Sequence, residues 1–262
     1  MICAGIDAGS RTIKIVLIDS DNRNIIAKGL SDQGVKQDEL ALKLFKKVCK
    51  EKNIKKNDVS AIVATGYGRN AVSLADTTIT EITCHAVGVH YLLSDTMTII
   101  DIGGQDSKLI RLDNTGRVRD FAMNDRCAAG TGRFLEVVAQ RLDVPLESLG
   151  EMAAKSKKPA AISSMCVVFA ETEITGLLAS GVSREDIVAG VQASIASRIA
   201  GMAGRNVTAP IVFTGGVALI PRMNTALQSA LGQNFIISPE PQMTGALGAA
   251  IMAAKNLNGE NT

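Results

Sequence analysis

The sequence predicts an α/β protein built twice over, in two halves that begin alike. Three observations carry that expectation. An apolar strand runs into an acid–glycine turn at Asp7-Ala8-Gly9, and again at Asp101-Ile102-Gly103. A second strand follows in each half and carries a lysine near its start, Lys14 or Lys108. Segments of extended and helical periodicity then alternate to the end, with no linker or low-complexity tract between the halves.

Ile2 to Ile6 is the apolar run that meets the first turn. Ile13 to Ile18 is a second strand, and the turn Asp19 to Asn24 leads into Ile25-Ile26-Ala27. These three strands read as an antiparallel meander. From Gln37 to Lys52, the residues Leu40, Leu44, Phe45 and Val48 recur at helical spacing, with lysines opposite. Val59 to Ala64 reads as a buried strand running into Thr65-Gly66, and Ile82 to Leu93 as a helix. The second half opens on a strand from Met97 to Ile102, with more strands at Leu109 to Leu112 and Val118 to Met123. Helices are expected at Gly130 to Leu142, Val167 to Leu178 and Ser183 to Ala203. Strands at Ile211 to Phe213 and Phe235 to Ile237 precede a small-residue helix from Gly245 to Lys255. The halves are placed at residues 1–95 and 96–244, with helix 245–257 a candidate to join the first.

Composition bounds the function. Of 262 residues 46% are apolar, enough for a core without disulfide staples. Trp is absent, and there are only two Tyr and six Phe. That argues against binding single-stranded nucleic acid by base stacking. The net charge of +2, from 28 basic and 26 acidic residues, is too balanced for a dedicated nucleic-acid binder. Neither a signal peptide nor an apolar stretch of about 18 residues is visible, so no membrane span is expected. A cytoplasmic location is expected. There the five cysteines read as core residues, catalytic thiols or metal ligands before disulfides.

The turn Asp7-Ala8-Gly9-Ser10-Arg11-Thr12-Ile13-Lys14 has the makings of a phosphate-holding hairpin. Glycine lets backbone N–H groups approach oxygens, Ser10 and Thr12 add donors, and Lys14 adds charge. Asp7 at the strand end suits a Mg²⁺ ion held through water. Asp101 to Asp106 repeats the acid-plus-glycine arrangement. Phe213-Thr214-Gly215-Gly216-Val217-Ala218 adds a strand followed by adjacent glycines, suited to close approach of a base or ribose. Any one of these turns alone is compatible with an ordinary hairpin; the three in order are far more specific. No Walker A motif and no G-x-G-x-x-G after a strand is present, which disfavours P-loop and Rossmann readings.

DAGSRTIK, DIGGQD and FTGGVA resemble the phosphate-1, phosphate-2 and adenosine motifs of the actin/Hsp70/sugar-kinase superfamily. The resemblance covers nearly the whole chain. It implies duplicated RNase H-like domains, each a mixed sheet flanked by helices, closing on ATP-Mg²⁺.

Two cysteines stand out. Cys127 lies in Asn124-Asp125-Arg126-Cys127 and Cys166 in Ser163-Ser164-Met165-Cys166, each just ahead of a helical stretch. A helix start favours thiolate and can stabilise an anionic cluster. Two ligands cannot complete a four-thiolate site, but a two-fold dimer supplies the other two. Spacing alone leaves this open against two small core residues. Cys3, Cys49, Cys84 with its neighbour His85, and His90 read as packing residues.

NDRCAAGTGRF, SSMCVVFAETE, ATGYGRN and ITEITCHAVG are similar to the activators (component A, archerase) of 2-hydroxyacyl-CoA dehydratases, within the BadF/BadG/BcrA/BcrD ATPase family. The resemblance implies one [4Fe-4S] cluster per homodimer, held by Cys127 and Cys166 of each subunit. It also implies an ATP-driven transfer of a low-potential electron from ferredoxin or flavodoxin to a partner dehydratase. On that reading Asp7 and Asp101 position hydrated Mg²⁺. Ser10, Arg11, Thr12, Ile13, Lys14, Gly103 and Gly104 meet phosphate, and Gly215, Gly216 and Gln242 border the adenosine. Gln105 or Asp106 orients the attacking water, though Gln105 also suits a plain turn. Alternatives are an activating reductase for a double-cubane iron–sulfur protein, a sugar kinase of the same fold, and an actin-like scaffold.

Overall fold

The apolar runs β1 (Ile2–Ala8) and β2 (Thr12–Asp19) and the more open β3 (Ile25–Asp32) pair antiparallel in sequence, the meander the pattern predicts. The computed structural model describes residues 1–163, 166–204 and 207–259. After the meander, α1 (Gln37–Glu51) turns Leu44, Phe45 and Val48 inward. β4 (Val59–Thr65) enters parallel beside β1, and β5 (Thr77–Thr78) pairs parallel with β4. α2 (Glu81–Leu92) starts at Thr80, whose hydroxyl accepts from the Thr83 N–H at 3.3 Å.

The second set of elements repeats the first. β6 (Thr98–Ile102), β7 (Ser107–Leu112) and β8 (Val118–Asn124) are neighbours in one sheet. Helices α3 (Gly132–Leu142), α4 (Leu149–Ala154), α5 (Val167–Ala179) and α6 (Arg184–Ala203) follow. β9 (Ile211–Thr214) lies parallel beside β6, and after α7 (Met223–Leu231) β10 (Phe235–Ile237) lies parallel beside β9. α8 (Thr244–Asn258) ends the described chain. The sheets run β3-β2-β1-β4-β5 and β10-β9-β6-β7-β8, one strand order read from opposite ends. This is the duplicated RNase H-like arrangement of mixed sheets flanked by helices.

Two compact units result. One holds Met1–Thr96, Leu112–Arg119 and the residues from Ser238 onward; the other holds Met97–Arg111 and Asp120–Ile237. In the first unit the strand alternation separates two apolar clusters. Ala4, Ile6 and Ala8 of β1 pack with Leu44 and Phe45 of α1, while Cys3 packs with Ala246, Ala250 and Ala254 of α8. α8 is rich in small residues because its backbone runs against other backbone. A Cβ on Gly248 would strike the Cys84 carbonyl, and one on Gly88 the Thr244 carbonyl. The second unit has one core around Phe134, Ile195 and Phe213. Each such fully buried phenylalanine contributes about 1.5–3 kcal/mol by burial.

Three elements go beyond the sequence pattern. β5 is two exposed threonines. α4 is six residues long, and α7 turns only Met223 and Leu227 fully inward. Periodicity cannot register so few apolar positions. The helix expected from Gly130 begins instead as a 3-10 turn over Ala128–Gly130, and α3 starts at Gly132. Among the described residues no helix is long and apolar enough to cross a membrane.

Candidate functional site

Each sheet sets one aspartate opposite one lysine. Asp7 on β1 pairs with Lys14 on β2, and the ammonium lies 3.1 Å from Asp7 Oδ2. Asp7 is 5% exposed. The hairpin between them closes through Gly9 N–H, which donates to the Thr12 carbonyl at 3.1 Å. Gln33 clasps the turn from outside. Its Nε2 donates to the Gly9 carbonyl and its N–H to the Arg11 carbonyl, both at 2.9 Å. Ser10 and Thr12 are half-buried in this turn, and Arg11 is exposed, 3.7 Å from Asp32. The Ile13 side chain is fully buried in the core, so its main chain alone is available to the turn.

In the second unit Asp101 on β6 pairs with Lys108 on β7. Here the lysine is shared: its ammonium is 3.2 Å from Asp101 Oδ2 and 2.6 Å from Asp106 Oδ2. Gly103 N–H donates to the Asp106 carbonyl at 2.9 Å, closing the turn. The start of α3 braces it, because Gly132 N–H donates to the Gly103 carbonyl at 2.9 Å and Arg133 N–H to that of Gly104 at 2.8 Å. These are helix-end donors that would otherwise lack partners. Gln105 stands exposed at the tip.

A third correspondence joins the two units. Thr65-Gly66 ends β4 and Thr214-Gly215 ends β9, and the glycines take φ of +87° and +89°. Each backs onto its unit's aspartate: a Cβ on Gly66 would strike Asp7 Oδ1, and one on Gly215 would strike Asp101 Oδ1. Side chains are excluded at both positions by space and by backbone conformation. Gly216 opens a 3-10 turn over Gly216–Leu219. Gln242 is half-buried in the first unit, just before α8.

The cysteines divide by burial. Cys3 and Cys84 are 0% exposed and Cys49 is 5% exposed. Burial pushes all three thiols up. Cys84 reaches about 12, so it is a neutral packing group. Cys127 is half-buried at the start of the 3-10 turn. Asn124 pins its backbone on both sides: Cys127 N–H donates to Oδ1 at 3.1 Å, and Nδ2 donates to the Cys127 carbonyl at 2.8 Å. Cys166 is exposed at the N-cap of α5. Among the described residues no group of three or more His, Cys, Asp or Glu sits together to hold a metal ion.

Comparison with known proteins settles the family. The pattern of the BadF/BadG/BcrA/BcrD ATPase family matches residues 4–253. The chain belongs to this ATPase family. It is 45% identical over 254 residues to an activator of lactoyl-CoA dehydratase from Anaerotignum propionicum, covering 97% of each chain. It is 44% identical over 253 residues to the (R)-2-hydroxyglutaryl-CoA dehydratase activating ATPase of Acidaminococcus fermentans, covering 96% of each. Among solved structures, the activator of 2-hydroxyisocaproyl-CoA dehydratase from Clostridium difficile with bound ADPNP superposes with a TM-score of 0.92 at 39% identity. That match covers 100% of this chain and 98% of the other.

Within this family member the structure also brings in residues that sequence reasoning did not name for the site. Lys108 had a signal, its position matching Lys14 in the repeated turn. Gln33 had none, since it reaches Gly9 from 24 residues away. His85, whose ring edge borders the same space at Gly245 as Asp7, meets Thr244 from 159 residues away.

Proposed function

We propose that this ATPase-family chain is a reductive activator, working as a homodimer that hands a low-potential electron to a partner iron–sulfur enzyme, a 2-hydroxyacyl-CoA dehydratase. The names of its relatives support the partner. The observation that carries the reading is the segregation of the cysteines. Three are core thiols of the first unit, while Cys127 is half-buried ahead of a 3-10 turn at the edge of the second unit's core and Cys166 is exposed at the start of α5. Val168 and Phe169, 68% and 69% exposed, lie two and three residues after Cys166. Exposed apolar groups beside a thiol fit a surface covered by a second copy.

The donor set fits a [4Fe-4S] cluster in halves. One chain offers Cys127 and Cys166, and such a cluster takes four thiolates. Two copies would therefore hold one cluster between them. Bound there, the cluster would supply one-electron chemistry at low potential. Reduction by ferredoxin or flavodoxin in an oxygen-free cytoplasm belongs to the same reading.

The nucleotide residues have separable tasks. Asp7 and Asp101 orient hydrated Mg²⁺. The Lys14 side chain, 15% exposed, can turn toward phosphate, whereas that of Lys108, 2% exposed, stays between its carboxylates. Backbone N–H groups from Ser10 to Ile13 and at Gly103 and Gly104 serve phosphate oxygens, with the Ser10 and Thr12 hydroxyls and Arg11 beside them. Gly215, Gly216 and Gln242 border the adenosine. Gln105 orients the attacking water, because Asp106 is engaged by Lys108. Such catalysis is positioning and electrostatics.

Anaerobic purification with a visible spectrum and an iron and sulfide assay tests the reading. About four irons per dimer are expected, lost in Cys127→Ala and in Cys166→Ala. A colourless anaerobic protein that phosphorylates a sugar would overturn it.

A further inference from the structure

The two units differ in what backs their aspartates. Asp101 shares Lys108 with a second carboxylate, Asp106. Asp7 Oδ2 already meets the Lys14 ammonium at 3.1 Å, and α2 and α8 bring an imidazole toward the same oxygen. His85 of α2 is 7% exposed, and its Nδ1 lies 2.9 Å from Oγ1 of Thr244, the first residue of α8. With Nδ1 so engaged, the opposite edge of the ring faces Gly245. Both Cε1 and Nε2 lie 3.3 Å from the point where a Gly245 Cβ would stand, and Asp7 Oδ2 lies 3.1 Å from the same point. The ring edge and the carboxylate therefore line one gap, roofed by a residue with no side chain.

The chemistry of the gap is specific. The His85 ring edge and the Asp7 carboxylate both border the space that Gly245 leaves open. Cys84, the neighbour of His85 in sequence, is a buried neutral thiol and brings no charge. The start of α8 adds the positive end of a helix dipole on the same side. Across the carboxylate, Gly66 walls off Oδ1.

We propose that His85, fixed by Thr244, is a positioning residue for Asp7. It holds the Oδ2 side of the carboxylate across Gly245, so that Asp7 keeps one orientation toward the hydrated cation of the nucleotide. The inference rests on the nucleotide reading above and extends it to residues outside the phosphate turns. Glycine at 245 keeps this space open, because a Cβ there would press on both the ring and the acid.

The test is a Mg²⁺ titration of ATP hydrolysis by the full-length protein, paired with ADP binding with and without Mg²⁺. His85→Ala should raise the Mg²⁺ concentration for half-maximal hydrolysis about tenfold or more, as loss of a ligand-orienting partner does. It should leave metal-free ADP binding within about twofold and kcat at saturating Mg²⁺ far less affected. His85→Gln, which keeps a polar group in the gap, should recover most of the effect. Thr244→Val should move the titration in the same direction and guards against a His85→Ala protein that fails to fold. In an Asp7→Asn background His85→Ala should add nothing. An unchanged Mg²⁺ dependence in Thr244→Val and either His85 variant, or a full additive effect without Asp7, would overturn the proposal while leaving the nucleotide reading standing. An unmodified protein that neither binds ADP nor hydrolyses ATP would remove both.

Discussion

A lysine side chain that is 2% exposed and touches two carboxylates has little choice of position. The Asp101–Lys108–Asp106 group carries one more negative than positive charge, and burial makes each partner depend on the others. Removing the cation is the damaging change, because it strands two acids. Lys108→Met should therefore lower unfolding free energy by about 3–5 kcal/mol, read from urea denaturation. Among the described residues Lys14 meets one carboxylate, that of Asp7, and its side chain is more open. Lys14→Met should cost clearly less stability and far more nucleotide affinity. Equal stability losses in the two variants would contradict the division of labour between the lysines.

At the scale of elements, residues 156–158, ahead of Cys166, are held by one carboxylate in the first turn of α6. Asp186 Oδ1 accepts from the Ser156 hydroxyl at 2.7 Å and from the N–H groups of Lys157 and Lys158 at 2.9 Å. These bonds, the Ser156 hydroxyl foremost, hold its carboxyl down from 3.8 to about 2. The Asp186 carbonyl accepts from Ala160 N–H at 2.8 Å, and farther on Ser163 donates to Glu173 Oε1 from its N–H at 2.9 Å and its hydroxyl at 2.7 Å. A carboxyl with a lowered folded value stabilises fully above its unfolded value and loses that contribution as pH falls through the folded one. The strap should thus be fully held above about pH 4 and released on descending toward about pH 2. Asp186→Asn should imitate the acid state at neutral pH, with several-fold faster tryptic cleavage after Lys155 and Lys157. An unchanged cleavage rate would mean that the Ala160 and Ser163 contacts suffice. The helix itself was legible in the sequence, with Ser183 ahead of it and Asp186 in its first turn. The strap was not, because polar residues without a period gain order only from a partner about thirty positions on.

At the scale of the whole molecule, the duplication was legible because its signature is local: an acid, a glycine and a lysine seven residues beyond the acid, once in each half. What stayed hidden is what the folded strands bring together from afar, as with Gly66 and Gly215 behind their aspartates or His85 against Thr244. The cysteines show the same divide. Motif context singled out Cys127 and Cys166 and left the other three as packing residues, and the fold seals those three in the first unit's core. That partition predicts reactivity. In native, reduced, iron-free protein a thiol reagent should modify Cys166 first and Cys127 more slowly, because one is exposed and the other half-buried. Cys3, Cys49 and Cys84 should react only on unfolding, being buried and held as thiols by raised pKa values. Iron loading should protect Cys127 and Cys166 together, and light scattering should show the protected form as the dimer. Rapid modification of Cys166 in iron-loaded protein would refute a bridging role, since a thiolate committed to a shared metal site is no longer a nucleophile.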